Sequence, residues 1–573
     1  MSSGKNTFVV EVSNISNFGV WVYFNDQEYF LDYEGHPWFK NAKVQDVLNV
    51  VAVNENHMRW PELDVDIHTD SLEYPDQYPL IAREILNEAP IDLPPTLLAA
   101  LHAAVGAPNV HTSPNETTAY DCDGLTLHKA RPGAVVFVAD AAQVSAVVKA
   151  CNAANYPYIA RGSGTGLSGG AAALNSAVVI EMARMNRILE VNTADRYAVV
   201  EPGVININLT KACAQHAMHF APDPSSQGAC TIGGNVAENS GGPHTLKYGV
   251  TINHVIGVEV VLPSGEIATF GGPDPMTPGF DLVGLFVGSE GTFGICTKAW
   301  CRLTPNPEAV KTLLAVFPTV DAASRGVSGI IGAGIVPAAL ELIDQHIIRA
   351  IESWLHLGFP RDAGAILLIE LDGLRDGLDA LADRVMNVCK EHGCISVRAA
   401  KDSAERLLLW KARKQAFGAI GRICPSFYVQ DGVIPRTKLP EILAKIEASS
   451  KKYGLITCNV FHAGDGNLHP IILFDERDPK QVENALACNT EIMHAVVASG
   501  GALSGEHGIG LEKLEFMHLI YNADDLEGMT RVREVFDPKR LCNPGKAIPS
   551  RRCWEVKGHE APKLAFGVRQ GHV

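Results

Sequence analysis

The sequence predicts an α+β chain built from three folded parts, on three observations. The first 80 residues alternate apolar and polar side chains in "FVVEVS", "GVWVYFN" and "EYFLDY", the period of half-buried strands. From residue 91 to 307, short apolar runs alternate with helical patterns. From about Lys311 the order strand–helix–strand repeats with longer helices, which suggests a sandwich with helices on one face of a sheet. At about 100–200 residues per domain, a chain of 573 residues agrees with three parts.

The elements follow in order. "FNDQEYF" reads as a turn between two strands, "WPELDVDI" as a further extended piece and "DSLEYPDQYPL" as a linker. "AVVFVAD" is a strand, and "AAQVSAVVKACNAAN" places Val144, Val147, Val148 and Cys151 on one helical face. "YPYIA" is a strand feeding a glycine loop, "AVVIEM" and "YAVVEPG" are strands, and "INLTKACAQHA" is a helix. "VIGVEVVLPSGEIATF" is a hairpin turning at Ser264-Gly265. Further on, "ILLIELDG" and "CISVRAA" are strands, "LDALADRVMNVCKEHG" is a helix, and "SAERLLLWKARKQAFGAI" is one long helix. Residues 550–573 read as an extended tail.

The composition, 46% hydrophobic and 20% charged, is that of a globular protein with a large core. A formal charge of −16 without a basic cluster argues against nucleic acid, whose binding needs cations on phosphates. "MSSGKNTFVVEV" lacks the basic and apolar regions of a secretory signal, and no apolar run is long enough to span a bilayer. The expected location is the cytoplasm. Thirteen scattered cysteines suggest reduced thiols, and without C-x-x-C this chain is expected to carry no iron–sulfur cluster.

"YPYIARGSGTGLSGGAAALNSAVVIEM" contains Gly164-x-Gly166-x-x-Gly169 after a strand. Only six residues separate Gly170 from the next strand, so the helix that a dinucleotide fingerprint must open does not fit. No G-K-[ST] follows, which excludes a P-loop. Successive N–H groups of such a loop can still converge on an anion, with pyrophosphate the natural guest. Two more small-residue segments, 230–242 and 288–295, suggest backbone packed along an extended ligand.

"PDPSSQGACTIGGNVAENSGGPHTLKYGV" and "DLVGLFVGSEGTFGI" resemble the FAD-binding domain of the vanillyl-alcohol-oxidase-type flavoproteins. Within these, the chain is similar to the FAD subunit of glycolate oxidase and to D-lactate and D-2-hydroxyglutarate dehydrogenases, from Ile91 to Pro549. The resemblance implies a two-part FAD-binding domain over 91–307, an α+β substrate (cap) domain over 308–530, and a return to the first domain over 531–549. It assigns Arg161, Gly162, Ser163, Gly164 and Thr165 to the pyrophosphate, and Gly166 to the same cofactor. Pro222, Asp223, Thr231, Gly233, Asn235, Asn239, Gly241 and Ile295 would line the flavin, joined by Asn543 of "NPGK". Thr165 stands where covalent members carry a histidine, which implies non-covalent FAD. Residues 1–80 resemble a small β-rich domain of unknown role.

In "HAGDGNLHP", Asp465-Gly466 is a two-residue hairpin signal. Counting outward, His462 falls opposite His469 on the same face, close enough for both imidazoles to hold one ion. "SGEHGIG" adds Glu506 and His507; two imidazoles and a carboxylate with an open position form a catalytic metal arrangement. A hydrogen-bonded or solvated histidine pair is the alternative. The resemblance implies that His462, His469 and Glu506 bind a divalent metal (Zn, Mn or Fe) and that His507 is the general base. It places Arg413 on the substrate carboxylate, the alternative being a solvated helix charge. Ile471, where hydroxyglutarate enzymes tend to have asparagine, points to glycolate or D-lactate. The implied partners are iron–sulfur and flavin-like companion subunits, a quinone or a soluble electron carrier, with peripheral inner-membrane association through them. A metallohydrolase is the rival reading of the same four residues.

Overall fold

The computed structural model describes residues 10–549 except 26, 34–35, 41, 55–56, 64, 70–71, 73–92 and 275–277. The expected linker, apart from Leu72, and the tail lie outside the described residues. The chain forms two compact units, divided between residues 83 and 84.

Among the described residues, the first unit contains two three-stranded antiparallel sheets. Strands Val10–Ile15, Gly19–Phe24 and Gln27–Asp32 form one; Val51–Asn54, His57–Trp60 and Val65–His68 form the other. The turn expected in "FNDQEYF" is present, with Phe24 paired to Gln27 and Asn25 at φ +48°. Alternation buries Val20, Val22 and Phe24 with Phe39, Met58 and Trp60.

The second unit opens with a sheet ordered Val110–His111, Ala134–Phe137, Val178–Glu181, Tyr158–Arg161, the last three mutually parallel. Helix Ala141–Ala154 packs on it, capped by Asp140 accepting from the Gln143 N–H, and buries Val144, Val147, Val148 and Cys151 as their spacing requires. Tyr158–Arg161 reaches its parallel neighbour through the glycine loop and one 3-10 turn, Leu174–Ser176, with no crossover α-helix. A five-stranded antiparallel sheet follows, ordered Ile188–Asn192, Tyr197–Val200, Ile295–Arg302, Val255–Val261, Ile267–Gly271. Its last hairpin turns through Gly265 at φ +85°.

The largest sheet has nine strands. Ser396–Ala399, Ala309–Phe317, Ala365–Gly373, Ala339–Asp344 and Ile456–His462 lie in that order. The expectation of helices on one face is corrected here: they cover both. Leu313, Leu367 and Leu340 pack with Val320–Gly332, Leu378–Glu391, Leu439–Tyr453 and Pro479–Ala498. The alternate residues Leu314, Leu368 and Ile343 pack with Gln345–Leu355, Ser403–Lys414 and Ala416–Ile420. Strand "AILLIELDG" is apolar without alternation because both its faces are buried. The single long helix expected over 403–420 is broken at Gln415, whose ψ is 7°; beyond it Ala416, Ala419 and Ile420 turn onto helix Gln345–Leu355.

The histidine hairpin also differs from expectation. His462 pairs with Asn467, not His469, so the turn spans four residues, 463–466. The reason is tertiary: the Gly464 N–H donates to Leu340 O and the Ile434 N–H to Gly466 O, so the turn bonds to neighbouring strands rather than across itself. His469 becomes the diagonal neighbour of His462 on the same face. The chain returns to the first part of the unit through the last turn of helix Ala523–Phe536, where Phe536 stacks on Phe293 at 4.7 Å. Cys542 then bridges to Tyr158 in parallel.

Gly466 has φ +85°, and a Cβ there would stand 2.2 Å from Ile434 O. Gly466→Ala is expected to store about 1–3 kcal/mol of strain and lower the thermal midpoint. Gly332→Ala, in a helix with nothing within 4 Å of the new Cβ, serves as the control and is expected to hold or slightly raise the midpoint; equal midpoints for the two variants would contradict the wedged turn.

Candidate functional site

The glycine segments wall a cavity of about 450 Å³. Arg161, Gly162, Ser163, Gly164, Thr165 and Gly166 all line it. So do Thr231, Gly233, Asn235, Ile295 and Asn543. The lack of side chains is required by close approach. A Cβ at Gly162 would stand 2.2 Å from Thr231 Oγ1, and one at Gly164, where φ is +64°, 2.2 Å from Arg161 Nη2. The Asn543 amide donates to Glu290 O at 2.7 Å and Gly170 O at 3.1 Å, tying the returning C-terminal segment to the cavity wall. The buried Arg161 Nη1 has no partner, a cation donor suited to a phosphate oxygen. This set fits the pyrophosphate of FAD.

Pro222, Asp223, Asn239 and Gly241 do not line the cavity, contrary to expectation. Pro222 O accepts from the Asn206 amide, which also reaches Asn235. Asn239, at φ +54°, ends helix Ile232–Glu238 and accepts from the Ile252 N–H. Gly241 instead abuts the second site: a Cβ there would stand 2.8 Å from Glu506 Oε2.

That second site joins the four expected residues. His462 Nε2 lies 3.0 Å and His469 Nε2 3.4 Å from Glu506 Oε1. The rings of His462 and His469 are 5.1 Å apart, and His507 stacks on His469 at 4.9 Å. One ligand atom from each of His462, His469 and Glu506 lies within 4.8 Å of the others. His469 Nε2, Glu506 Oε2 and His507 Nδ1 are buried without hydrogen-bond partners. Glu341 accepts from His462 Nδ1 at 2.8 Å and orients Nε2 towards Glu506, the way a carboxylate orients a metal-bound imidazole; a cation there would replace the ring proton that the two carboxylates favour against burial. Buried lone pairs left without partners beside an oriented imidazole fit a divalent cation. Burial pushes the His507 pKa down to about 4, with Asp431 opposing, so its imidazole is neutral at neutral pH. His469, Glu506 and His507 line the same cavity as the glycine segments.

Sequence reasoning missed the residue that holds this loop. Asp431, fully buried, accepts from Ser504 Oγ at 2.6 Å, from the N–H groups of Gly505, Glu506 and His507, and from Lys513 Nζ at 3.1 Å. The available signal was an isolated acid in the apolar stretch "YVQDGVI".

Arg413 is fully buried, which overturns the solvated-charge alternative. Its Nε donates to Glu341 Oε2 at 2.6 Å, and its other two nitrogens are sealed from solvent without partners. It does not line the cavity; the next residue, Lys414, does. Lys414 touches Gln227 Oε1 at 2.9 Å and Asp223 Oδ2 at 3.4 Å. Asp223 also holds His244 Nδ1 at 2.9 Å, and His244 Nε2 lies 3.2 Å from Glu370, which Arg406 grips with two nitrogens at 3.0 Å.

Burial works against every charge in this network, yet the partners prevail. His244 is raised to about 10 by Asp223 and Glu370; Asp223 falls to about 2 beside His244 and Lys414, and Glu370 to about 2 beside His244 and Arg406. The carboxylates' stabilisation is complete above their ordinary values, 3.8 and 4.5, and is lost as pH falls through about 2. The His244 part is complete below 6.5 and is lost as pH rises through about 10. His244→Gln is therefore expected to lower the thermal midpoint most between pH 5 and 6.5, with the gap to wild type closing towards pH 10. A gap constant over that range would contradict the network.

Residues 132–271 match the FAD binding domain family, and residues 306–547 match FAD linked oxidases, C-terminal domain. Residues 9–78 match a family described as protein of unknown function (DUF2442). The chain is 45% identical over 484 residues to glycolate oxidase subunit GlcD of Escherichia coli K12, covering 84% of this chain and 95% of that protein. It is 38% identical over 428 residues to GlcD of Bacillus subtilis, covering 74% and 91%. It is 31% identical over 427 residues to D-lactate dehydrogenase of Anaerostipes hadrus, covering 73% and 90%. Among solved structures, 4-ethylphenol oxidase from Gulosibacter chungangensis superposes with a TM-score of 0.66 at 20% identity, over 82% of this chain and 98% of that one. p-Cresol methylhydroxylase gives 0.64 at 18% identity, over 82% and 97%; both likenesses speak to fold alone. The expected α+β architecture, a two-part FAD-binding domain with a cap, holds, and the chain belongs to the FAD-linked oxidases.

Proposed function

We propose that this enzyme oxidises a small 2-hydroxy acid, glycolate or D-lactate, to the 2-oxo acid, with non-covalent FAD and a divalent metal (Zn, Mn or Fe). The observation carrying this reading is that His469, Glu506 and His507 share one cavity with the glycine-walled FAD segments. The names of the relatives, glycolate oxidase subunit and D-lactate dehydrogenase, support the substrate class.

When bound, FAD supplies the hydride acceptor and the metal lowers the pKa of the substrate hydroxyl. His462, His469 and Glu506 would hold the metal. Glu341 fixes the His462 ring, and Arg413 holds Glu341 in turn. His507, neutral and buried, takes the hydroxyl proton. Arg413, expected on the substrate carboxylate, is assigned this bracing role because its free nitrogens do not reach the cavity. Ile471 is buried in the cap core, so the position offers no polar contact for a second carboxylate.

Electrons leave to companion iron–sulfur and flavin-like subunits, in keeping with the word "subunit" in the relatives' names, or to a quinone or soluble carrier. Among the described residues, no helix is long and apolar enough to cross a membrane. We place the enzyme in the cytoplasm, peripheral to the inner membrane through its partners. A metallohydrolase would use the same donor set but leave the glycine-walled cavity without an occupant.

The test is anaerobic mixing of the purified yellow protein with glycolate or D-lactate: the flavin bleaches, a chelator stops the bleaching, and added divalent metal restores it. His507→Ala is expected to keep its flavin while bleaching slows by about 10²–10⁴-fold. Bleaching of that variant at the wild-type rate contradicts the assignment.

A further inference from the structure

We propose that Lys414 is the cation that receives the substrate carboxylate. This deepens the reading above and rests on it for the identity of the anion. The cavity lining contains two cationic side chains among the described residues, Arg161 and Lys414. Arg161 belongs to the glycine loop, folded back on Gly164 and lying 5.5 Å over the Tyr120 ring. Lys414 comes from the cap, at the end of helix Ser403–Lys414, and shares the cavity with His469, Glu506 and His507.

A count of charge singles it out. The network around it holds three carboxylates, Asp223, Glu370 and Asp372, against Arg406, Lys414, His244 and Lys247. His244 has a carboxylate on each ring nitrogen, an arrangement that only the doubly protonated imidazole satisfies. Four cations face three anions. Glu370 is saturated by Arg406, His244, Thr312 and Trp410. The Asp223 oxygen that Lys414 approaches at 3.4 Å is already bonded to His244 at 2.9 Å. The uncompensated positive charge therefore sits on the one member that reaches the cavity. Of three ammonium donors, two have partners, one of them a neutral amide. Phe417 and Phe427 line the cavity with it, and their low polarity strengthens attraction for an anion.

One surplus cation matches one carboxylate, so the site favours small 2-hydroxy monocarboxylates over dicarboxylates. Carboxylate binding completes both the charge and the hydrogen bonding of Lys414, while the hydroxyl is left to the His462, His469 and Glu506 cluster.

The test uses the full-length flavin-loaded protein and oxamate, a monocarboxylate analogue of the 2-oxo product, followed by perturbation of the flavin absorbance. Lys414→Met is expected to weaken oxamate binding by about 10–100-fold with flavin content unchanged. Anaerobic stopped-flow with glycolate is expected to show the same rise in apparent Kd and a smaller change in the limiting reduction rate. Lys414→Arg restores most of the binding, and Lys411→Met, an exposed neighbour, behaves as wild type. Wild-type oxamate affinity in Lys414→Met, or no oxamate binding by wild type, overturns the proposal. Oxamate binding that depends on Lys414, with no hydroxy acid bleaching the flavin, instead upholds the anion site and rejects the hydroxy-acid reading.

Discussion

A carboxylate with no access to water holds the chemistry of this protein in place. Asp431 is removed from solvent completely, which is tolerable for a charge only when donors replace the lost hydration. Five donors do so, and three are consecutive backbone N–H groups, those of Gly505, Glu506 and His507. Gathering three successive amides on one acceptor fixes the backbone of the loop. The side chains of Glu506 and His507 are thereby delivered to His462 and His469.

The same loop is gripped a second time by an acid from the FAD-binding part. Glu290, at φ +52°, accepts from the Ile509 N–H at 2.7 Å and the Gly510 N–H at 2.6 Å. The Leu511 N–H then donates to Ser168 O in the glycine loop. Residues 504–511 thus run from an anchor in the cap to anchors on the flavin cavity, and the His/Glu cluster sits between them. Glycine is required along this path by contact: a Cβ at Gly505 would meet Asn467 at 2.6 Å, and one at Gly510 would meet Ser168 O at 2.1 Å. The sequence "SGEHGIG" is the cost of threading backbone between two crowded walls.

What could be read from sequence was what short-range physics decides. Helix Ala141–Ala154 was legible because its apolar stripe and Asp140 cap are local. The absence of a crossover helix followed from counting residues after Gly170. The identity of His462, His469, Glu506 and His507 as one cluster was legible, but the register of the hairpin was not. Its turn is set by Leu340 and Ile434, which local pairing rules do not see. Asp431 was invisible for the same reason, since its amide donors lie 74 to 76 residues along the chain. Arg413 and Lys414 differ by one step of a helix that ends there, and only the packed structure shows which of them meets the cavity.

Metal binding to Asp431→Asn addresses the anchoring role most directly. Titration of the flavin-loaded variant with Mn²⁺, followed by electron paramagnetic resonance, reads the ligand geometry without any turnover. The expected result is unchanged flavin content with Mn²⁺ affinity lower by about 10–100-fold. Wild-type Mn²⁺ affinity in the variant would contradict the role given to Asp431.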